Sequence, residues 1–281
     1  MLFFPSCINL RAMIMNQLLY QVDAFTSSLF NGNPAAVCPL ESWLDDSLMQ
    51  LIAREDNLSE TAFIVADGES YQIRWFTPNT EVDLCGHATL ASAFVIFNIL
   101  GHETKTISFQ SKSGLLSVKK EADLLVMDFP RLPFNKIEPT AELIKALGVR
   151  PDELYQSTFD LLAVFSDATL IQEAKPDLNA LANLSCRGII LTAPALDADV
   201  YSRCFYPGCD VPEDPVTGSA HCVIAPYWCT RLNKNKIHAR QGESRQGELW
   251  CELNNARVIL SGHAQLYLQG EIRISSARSK G

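Results

Sequence analysis

Apolar and polar positions alternate in short runs along most of the chain. Residues 18 to 25, 61 to 65 and 71 to 77 have the short, largely apolar pattern of strands. Residues 42 to 55 repeat apolar side chains at helical spacing after Ser42, a residue type that caps helices. The first third of the chain therefore predicts strands and one amphipathic helix.

Two longer stretches are apolar on nearly all sides. Residues 87 to 100 and residues 219 to 232 fit buried helices, and both are too short to span a bilayer. Pro226 lies inside the second stretch and predicts a kink. Each stretch follows short strands and a turn of the form x-Gly-x-Ala, which contains Gly86 in one half and Gly218 in the other. This weak similarity between the two halves of the sequence predicts a duplicated fold.

The remaining patterns complete the predicted order of elements. Short strands are expected at residues 107 to 110, 115 to 118, 124 to 129, 188 to 192 and 200 to 205, a helix at 140 to 147, and a link at 130 to 139. We expect one domain over residues 15–130 and a second over 131–275, and the last strand can return to the first domain. Met15 is hypothesised to be the natural start, with residues 1–14 an upstream extension.

Composition and net charge limit the classes of partner that the chain can bind. Of the 281 residues, 47% are hydrophobic, and 23 Lys and Arg against 32 Asp and Glu give a net charge of −9. Because the chain is acidic and has no basic run, we expect neither nucleic acid nor a membrane as a partner. A small anionic substrate is compatible with this charge, since local donors hold such ligands. The nine cysteines do not form the dense, short-spaced pattern of a disulfide framework, so we expect free thiols. Because the sequence also lacks the features of a signal peptide, we expect the protein in the cytoplasm.

Candidate chemistry lies around the two glycine turns. A helix start presents unpaired N–H groups, and a glycine there lets a ligand approach the backbone. His87 lies in the first turn, Asp214 precedes the second, and Glu60 lies among apolar neighbours where desolvation would raise its pKa. Each feature alone also fits an ordinary tight turn, a helix cap or an exposed glutamate.

Several long segments stand out together: residues 59–63 (SETAF), 76–89 (FTPNTEVDLCGHAT) and 213–221 (EDPVTGSAH), with shorter ones at 22–25, 32–34, 239–242, 261–262 and 270–272. In this order they resemble the signature segments of the PhzF-like family of phenazine biosynthesis. The resemblance covers about residues 16 to 275. It implies an α+β fold similar to diaminopimelate epimerase, with two similar domains that each wrap a mixed or antiparallel sheet around a central buried helix, and an active site between them.

The resemblance also implies an activity, namely isomerisation of dihydro-hydroxyanthranilate by proton transfer without metal or organic cofactor. By resemblance, the catalytic residues are Glu60 as the general acid/base, and His87 and Asp214, which orient the polar groups of the substrate and help to move the proton. Gly86, Gly218 and Ser219 would supply donors for the substrate carboxylate. A homodimer is expected on the same basis.

One departure from the pattern of related enzymes and two alternative functions remain. Related epimerases use a cysteine at each helix start, but Thr217 stands opposite Cys85 here, so a two-thiol mechanism looks broken. The alternatives are an epimerase or racemase that uses Cys85 with another base, and a catalytically idle protein that binds a metabolite or a protein. A zinc site among Cys204, Cys209, His221, Cys222 and Cys229 lacks the C-x-x-C spacing of structural sites, and no nucleotide-binding or hydrolase motif occurs.

Overall fold

The computed structural model describes residues 14–275, which form strands and a smaller number of helices. The strands are β1 (Ile14–Ala24), β2 (Asn33–Leu40), β3 (Glu60–Asp67), β4 (Ser70–Phe76), β5 (Glu81–Val82), β6 (Thr106–Ser111), β7 (Gly114–Glu121), β8 (Leu124–Pro130), β9 (Phe134–Ile137), β10 (Glu153–Ser157), β11 (Asp160–Val164), β12 (Gly188–Pro194), β13 (Val200–Tyr206), β14 (Val211–Asp214), β15 (Lys236–Gln241), β16 (Gly247–Asn254), β17 (Arg257–Gly262) and β18 (Ala264–Ser275). The α-helices are α1 (Asp46–Asp56), α2 (Gly86–Asn98), α3 (Ala141–Leu147), α4 (Ala168–Gln172), α5 (Leu178–Ala182) and α6 (Gly218–Leu232).

The strands form one continuous mixed sheet that runs through both halves of the chain. In the first half, the pairing order is β18–β1–β2–β3–β4–β6–β7–β8, with parallel pairs at β2–β3 and β4–β6. In the second half, it is β17–β16–β15–β13–β12–β11–β10–β9. The halves meet where β8 pairs antiparallel with β17.

Each half wraps its sheet around one buried helix, as the apolar stretches predicted. Helix α2 packs against β1, β2, β3, β7 and β8, and α6 packs against β11, β15, β16 and β17. Side chains of both helices, such as Leu90 and Val223, belong to one hydrophobic core. Because successive strand residues point to opposite faces, Ile190 joins this core while Ile189 and Leu191 pack under helices α3 to α5.

Helix α6 continues past Pro226 to Leu232. A proline inside a helix lacks the N–H that would bond to the carbonyl four residues earlier. That carbonyl belongs to Cys222, and it accepts a hydrogen bond from the backbone N–H of Leu132 at 3.1 Å. The link between the two halves therefore satisfies the group that the proline leaves unpaired.

The structure differs from the predicted elements in two places. Helix α1 begins at Asp46 with Asp45 rather than Ser42 at the cap position. The expected link at residues 130 to 139 contains the strand β9, which pairs with β10. In this strand, Phe134 packs edge-on against Tyr155 of β10 and against Tyr227 of α6.

The structure also bears on the expectations about membrane spans, free cysteines and domain boundaries. Within residues 14–275, no helix has the length and hydropathy needed to cross a membrane. The described cysteines are free thiols, whereas Cys7 and residues 1–13 of the expected extension lie outside the described residues. The domain boundary at residue 130 stays a prediction. Strand β18 pairs with β1 along most of its length.

Candidate active site

The starts of the two buried helices face each other at the centre of the molecule. Gly86 is the first residue of α2, and Gly218 is the first residue of α6. A Cβ built on Gly86 would lie 3.9 Å from the Cα of Gly218, and one on Gly218 would lie 4.0 Å from the Cα of Gly86. Two helix N-termini, each with free N–H groups and a positive dipole end, therefore converge on one place.

Neither glycine is required by the protein's own packing. Both lack a positive φ, and a Cβ on either would meet no atom closer than 3.8 Å among the neighbours in residues 14–275. The backbone at Gly86 is partly exposed and thus available to a ligand, whereas Gly218 is buried.

Glu60, the first residue of β3, points into this junction. Its Oε2 lies 3.2 Å from Nε2 of His87, and its side chain is only 17% exposed. Burial raises the pKa of the Glu60 carboxyl to about 8, and the negative charge of Asp214 adds to that rise, while a hydrogen bond with Cys85 opposes it. A carboxyl group that ionises near neutral pH is suited to take up and release a proton.

His87 is neutral in this site. Burial lowers the pKa of its imidazole to about 3. Its Nδ1 lies 3.2 Å from Nδ2 of Asn33 and 3.5 Å from Sγ of Cys85. Its Nε2 is close to Glu60 but is not aligned with it as a hydrogen bond. Besides this contact with Glu60, the buried Nε2 has no hydrogen-bond partner among the described residues.

Asn33 joins the two halves of the site. Its Nδ2 donates to Oδ1 of Asp214 at 2.6 Å and to the carbonyl of Val216 at 2.9 Å. Both partners are acceptors, which fixes the orientation of the amide. Asn33 precedes α2 in the first half, whereas Asp214 precedes α6 in the second. The amide therefore holds Asp214 of the second half beside His87 of the first.

Asp214 ends β14 and is held on its other side by Thr217. The Thr217 hydroxyl donates to Oδ2 of Asp214 at 2.6 Å. Gln241 supports both residues, since its Nε2 donates to the Asp214 carbonyl at 2.8 Å and its Oε1 accepts from the Thr217 N–H at 3.0 Å. Burial raises the pKa of Asp214 to about 6, although the hydrogen bonds from Thr217 and Asn33 favour its ionised form.

The loop that carries Asn33 is clamped by Arg245. The guanidinium donates to Oδ1 of Asp23 at 2.7 Å, to the Asn31 carbonyl at 2.8 Å and to the Gly32 carbonyl at 3.1 Å. Gly32 has a positive φ, and a Cβ there would lie 2.2 Å from a backbone oxygen, so only glycine fits. Arg245 comes from the second half of the chain and so fixes Asn33 against it.

Cys85 stands at the cap position of α2 as a buried thiol. Burial raises the pKa of the Cys85 thiol well above its usual value, and the negative charge of Glu60 adds to that rise. The thiolate is the reactive form of cysteine, and this environment disfavours it. Ligand atoms of Glu60, Cys85 and His87 lie within 4.8 Å of one another. The expectation of no metal stays a prediction, which metal analysis can check.

The sequence matches one known protein family over most of its length. A family model described as "Phenazine biosynthesis-like protein" (PhzC-PhzF) matches residues 22–270. The chain belongs to this family. The resemblance of the motif segments is thereby confirmed.

Relatives of the PhzC-PhzF family match over nearly their full lengths. A Pseudomonas aeruginosa protein named an uncharacterized isomerase is 50% identical, with 91% of this chain and 98% of that protein covered. A human phenazine biosynthesis-like domain-containing protein is 40% identical, with 90% of this chain and 98% of that protein covered. A crystal structure of a PhzF-family protein from Enterococcus faecalis superposes with a TM-score of 0.90 at 46% identity, covering 92% of this chain and 99% of that chain.

The fold extends beyond the PhzC-PhzF family. A probable proline racemase from Agrobacterium radiobacter matches with a TM-score of 0.62 at 9% identity, which shows a shared fold alone; 91% of this chain and 92% of that chain are covered. The predicted α+β fold of the diaminopimelate epimerase type, with two similar halves that each enclose a helix, is confirmed.

The structure brings most of the predicted site residues of this PhzC-PhzF chain together. Glu60 and His87 are in contact, the charge of Asp214 acts on Glu60, and Gly86 and Gly218 face each other. Ser219 lies beside them as the second residue of α6. Their roles in catalysis stay predictions.

Sequence reasoning gave no role to several residues that shape the site. Asn33 and Gln241 lie inside quoted family segments, so the segments were a signal for them. Thr217 was weighed only as a missing cysteine. Arg187 and Asp160 carried no signal, because they meet through strand pairing rather than through a motif.

The raised pKa of Glu60 predicts a pH-dependent cost in stability. The folded carboxyl holds its proton up to about pH 8, while in the unfolded chain it ionises from its ordinary value of 4.5. The folded state binds more protons at Glu60 between these values, so the contribution of Glu60 to the free energy of unfolding should fall by a few kcal/mol as pH rises from 4.5 to 8.

The Glu60→Gln variant cannot ionise and should not show this fall. Urea unfolding at pH 5, 7 and 8.5 measures it: the variant should gain stability relative to the wild type as pH rises. Parallel stability curves for the two proteins would contradict the raised pKa.

Proposed function

We propose that the protein is an isomerase that moves a proton on a small carboxylic acid, with Glu60 as the general acid/base. The observation that carries this proposal is a buried carboxyl group with a pKa of about 8, placed where two helix starts converge. The names of relatives as isomerases, and of structures with the same fold as an epimerase and a racemase, support the reaction class.

The proposed reaction is a proton transfer with no net oxidation. The Glu60 carboxylate removes a proton from a carbon conjugated with the substrate's unsaturated system, so that a C–H bond breaks and its electron pair spreads over the substrate. The facing helix starts stabilise the negative charge that develops. Protonated Glu60 then returns the proton to a different carbon, and a double bond shifts. Dihydro-hydroxyanthranilate is the substrate that the family resemblance implies.

The neighbours of Glu60 have different tasks in this proposal. Neutral His87 presents its buried Nε2 to a polar group of the substrate, and Asp214 orients the substrate from the second half. With a pKa of about 8, only about a tenth of Glu60 is ionised at pH 7. We therefore expect kcat/KM to rise with pH up to about 8, which a pH-rate profile measures.

A second candidate is an epimerase or racemase that uses Cys85. The position of Cys85 at the start of α2 favours it. The high pKa of its thiol and the hydrogen-bonded Thr217 at the opposite helix start argue against it. The idle binding protein is disfavoured because a complete acid/base group is assembled and buried.

The test is hydrogen exchange in D₂O. The protein is incubated with dihydro-hydroxyanthranilate and a panel of small unsaturated amino and hydroxy acids, and NMR follows deuterium incorporation and rearrangement. We expect exchange by the wild type and by Cys85→Ala, within about tenfold of each other, because the thiol is not the base. Loss of exchange in Cys85→Ala, with the fold kept by circular dichroism, would favour the epimerase. No exchange with any acid would favour the idle protein.

We also expect the reaction to need no cofactor, which absorbance and dialysis can test. Purified protein should show no absorbance above 300 nm beyond that of its aromatic residues, and exchange should survive dialysis against EDTA. Loss of exchange on dialysis that zinc restores would place a metal at Glu60, Cys85 and His87 instead. The expected homodimer stays a prediction, which light scattering can check.

A further inference from the structure

Arg187, in the loop before β12, is anchored beside the start of α6. Its Nε donates to Oδ1 of Asp160 at 2.8 Å, and its Nη2 donates to Oδ2 at 2.5 Å. Asp160 is fully buried, whereas the Arg187 side chain is 35% exposed. Within the described residues, Nη1 makes no hydrogen bond. The carboxylate therefore holds one edge of the guanidinium and leaves two N–H donors free.

Aromatic rings hold the guanidinium in one place. Its central carbon lies 5.3 Å from the ring centre of Phe159 and 5.2 Å from that of Tyr206. Gly188 admits the Tyr206 ring, because a Cβ there would lie 2.2 Å from a ring carbon. Guanidinium groups stack favourably on such rings. A side chain fixed in this way loses little entropy when it binds a ligand.

Arg187 is connected to the acid/base centre through Ser219. Its Nη2 donates to Oγ of Ser219 at 3.1 Å, and Ser219 directly follows Gly218 at the facing helix starts. The positive charge of Arg187 also lowers the pKa of Asp214, against the rise that burial causes.

We propose that Arg187 binds the carboxylate of the substrate at the start of α6, together with Ser219, and so selects acids over neutral analogues. The inference rests on the proposed function, in which the substrate is a small carboxylic acid. Both free N–H groups are on Nη1, so one of them can donate a charge-assisted hydrogen bond to a carboxylate oxygen, and the α6 N-terminus adds further donors. Arg187 is then a specificity-determining residue, while Glu60 moves the proton.

A purely structural role for Arg187 makes a different prediction. In that case its only task is to neutralise Asp160, and replacing both residues by uncharged ones should leave ligand binding unchanged. Arg187→Gln alone is unsuitable as a test, since it leaves a buried carboxylate without a partner and can unfold the protein. The double variant Asp160→Asn/Arg187→Gln keeps a hydrogen-bonded pair, and Asp160→Asn alone keeps the guanidinium.

The probes are 3-hydroxyanthranilate, the aromatic counterpart of the expected substrate without a mobile ring hydrogen, and its carboxamide. Titration calorimetry measures their affinities for the wild type, both Asp160 variants and Glu60→Gln. The double variant should bind the acid about 10- to 100-fold more weakly than Asp160→Asn does, the range of a lost charge-assisted hydrogen bond, with the carboxamide changed less than threefold. Arg231→Gln, at the other end of α6, is the charge-matched control and should bind the acid like the wild type.

Each outcome separates this inference from the proposed function. Equal affinities of Asp160→Asn and the double variant for the acid would overturn the role of Arg187, as would a wild type that binds neither probe or prefers the carboxamide. Glu60→Gln should still bind the acid. If that variant also kept exchange activity while the double variant lost affinity, the carboxylate site would stand and Glu60 would be wrong as the base.

Discussion

Replacing Glu60 with glutamine is expected to lower the rate of deuterium exchange by about 1,000-fold, which lies within the range that a positioned acid/base group contributes. Glutamine has nearly the same shape as a protonated glutamate but cannot accept a proton. The buried contacts with His87 and Cys85 should therefore survive, and only the chemistry should be lost. Single-turnover NMR in D₂O, with the substrate that the wild type converts, measures the change.

Glu69→Gln is the matched control for this experiment. Glu69 is exposed in the turn at the far end of β3, so the same chemical change there should leave exchange within twofold of the wild type. Exchange by Glu60→Gln at more than about a tenth of the wild-type rate would show that another group is the base, and Cys85 would be examined next.

Gly86→Ala should separate substrate binding from folding. The added methyl group meets no described protein atom closer than 3.8 Å, so the fold accepts it, and alanine is a better helix former than glycine. The same methyl group occupies the space through which a ligand reaches the amides of α2. We expect kcat/KM to fall about 100-fold, the scale set by a displacement of about 1 Å in the bound substrate, while Tm stays equal or rises.

The control for Gly86→Ala is Gly270→Ala in β18. A Cβ at that position lies 3.8 Å from Leu268 and is remote from the helix starts, so both kinetics and fold should be unchanged. Unchanged kinetics in Gly86→Ala would mean that the glycine only forms a turn. A large loss of Tm would mean that it is needed for packing instead.

The sequence alone predicted the two buried helices and their glycine turns for a physical reason. A helix that is apolar all round has one stable environment, the interior, so Ala91 or Val223 could be placed without a structure. The arrangement of a sheet around each helix came instead from the resemblance of the family segments. Local patterns do not encode which strands pair, because pairing depends on contacts far apart in sequence.

Local reasoning also failed where burial or distance decides the chemistry. Glu60 was equally compatible with an exposed strand end, and only its enclosure raises its pKa. From the sequence, Asn33 is an ordinary turn residue. In the structure, its amide donates to Asp214, 181 positions away. Arg187 and Asp160 are 27 positions apart and belong to no motif, so their pairing becomes visible only when β11 and β12 lie side by side.

The pairing of β1 with β18 has a consequence for how the protein is made. Asn16 contacts Glu271, 255 positions later, and the two strands pair along most of their length. Closing so long a loop is slow, because its entropy is lost before any contact is gained. During synthesis, β1 can therefore pair with β2 early, but its other edge stays unpaired until β18 leaves the ribosome. In that interval the nascent chain offers an open strand edge, so chaperones that shield such edges should raise its folding yield.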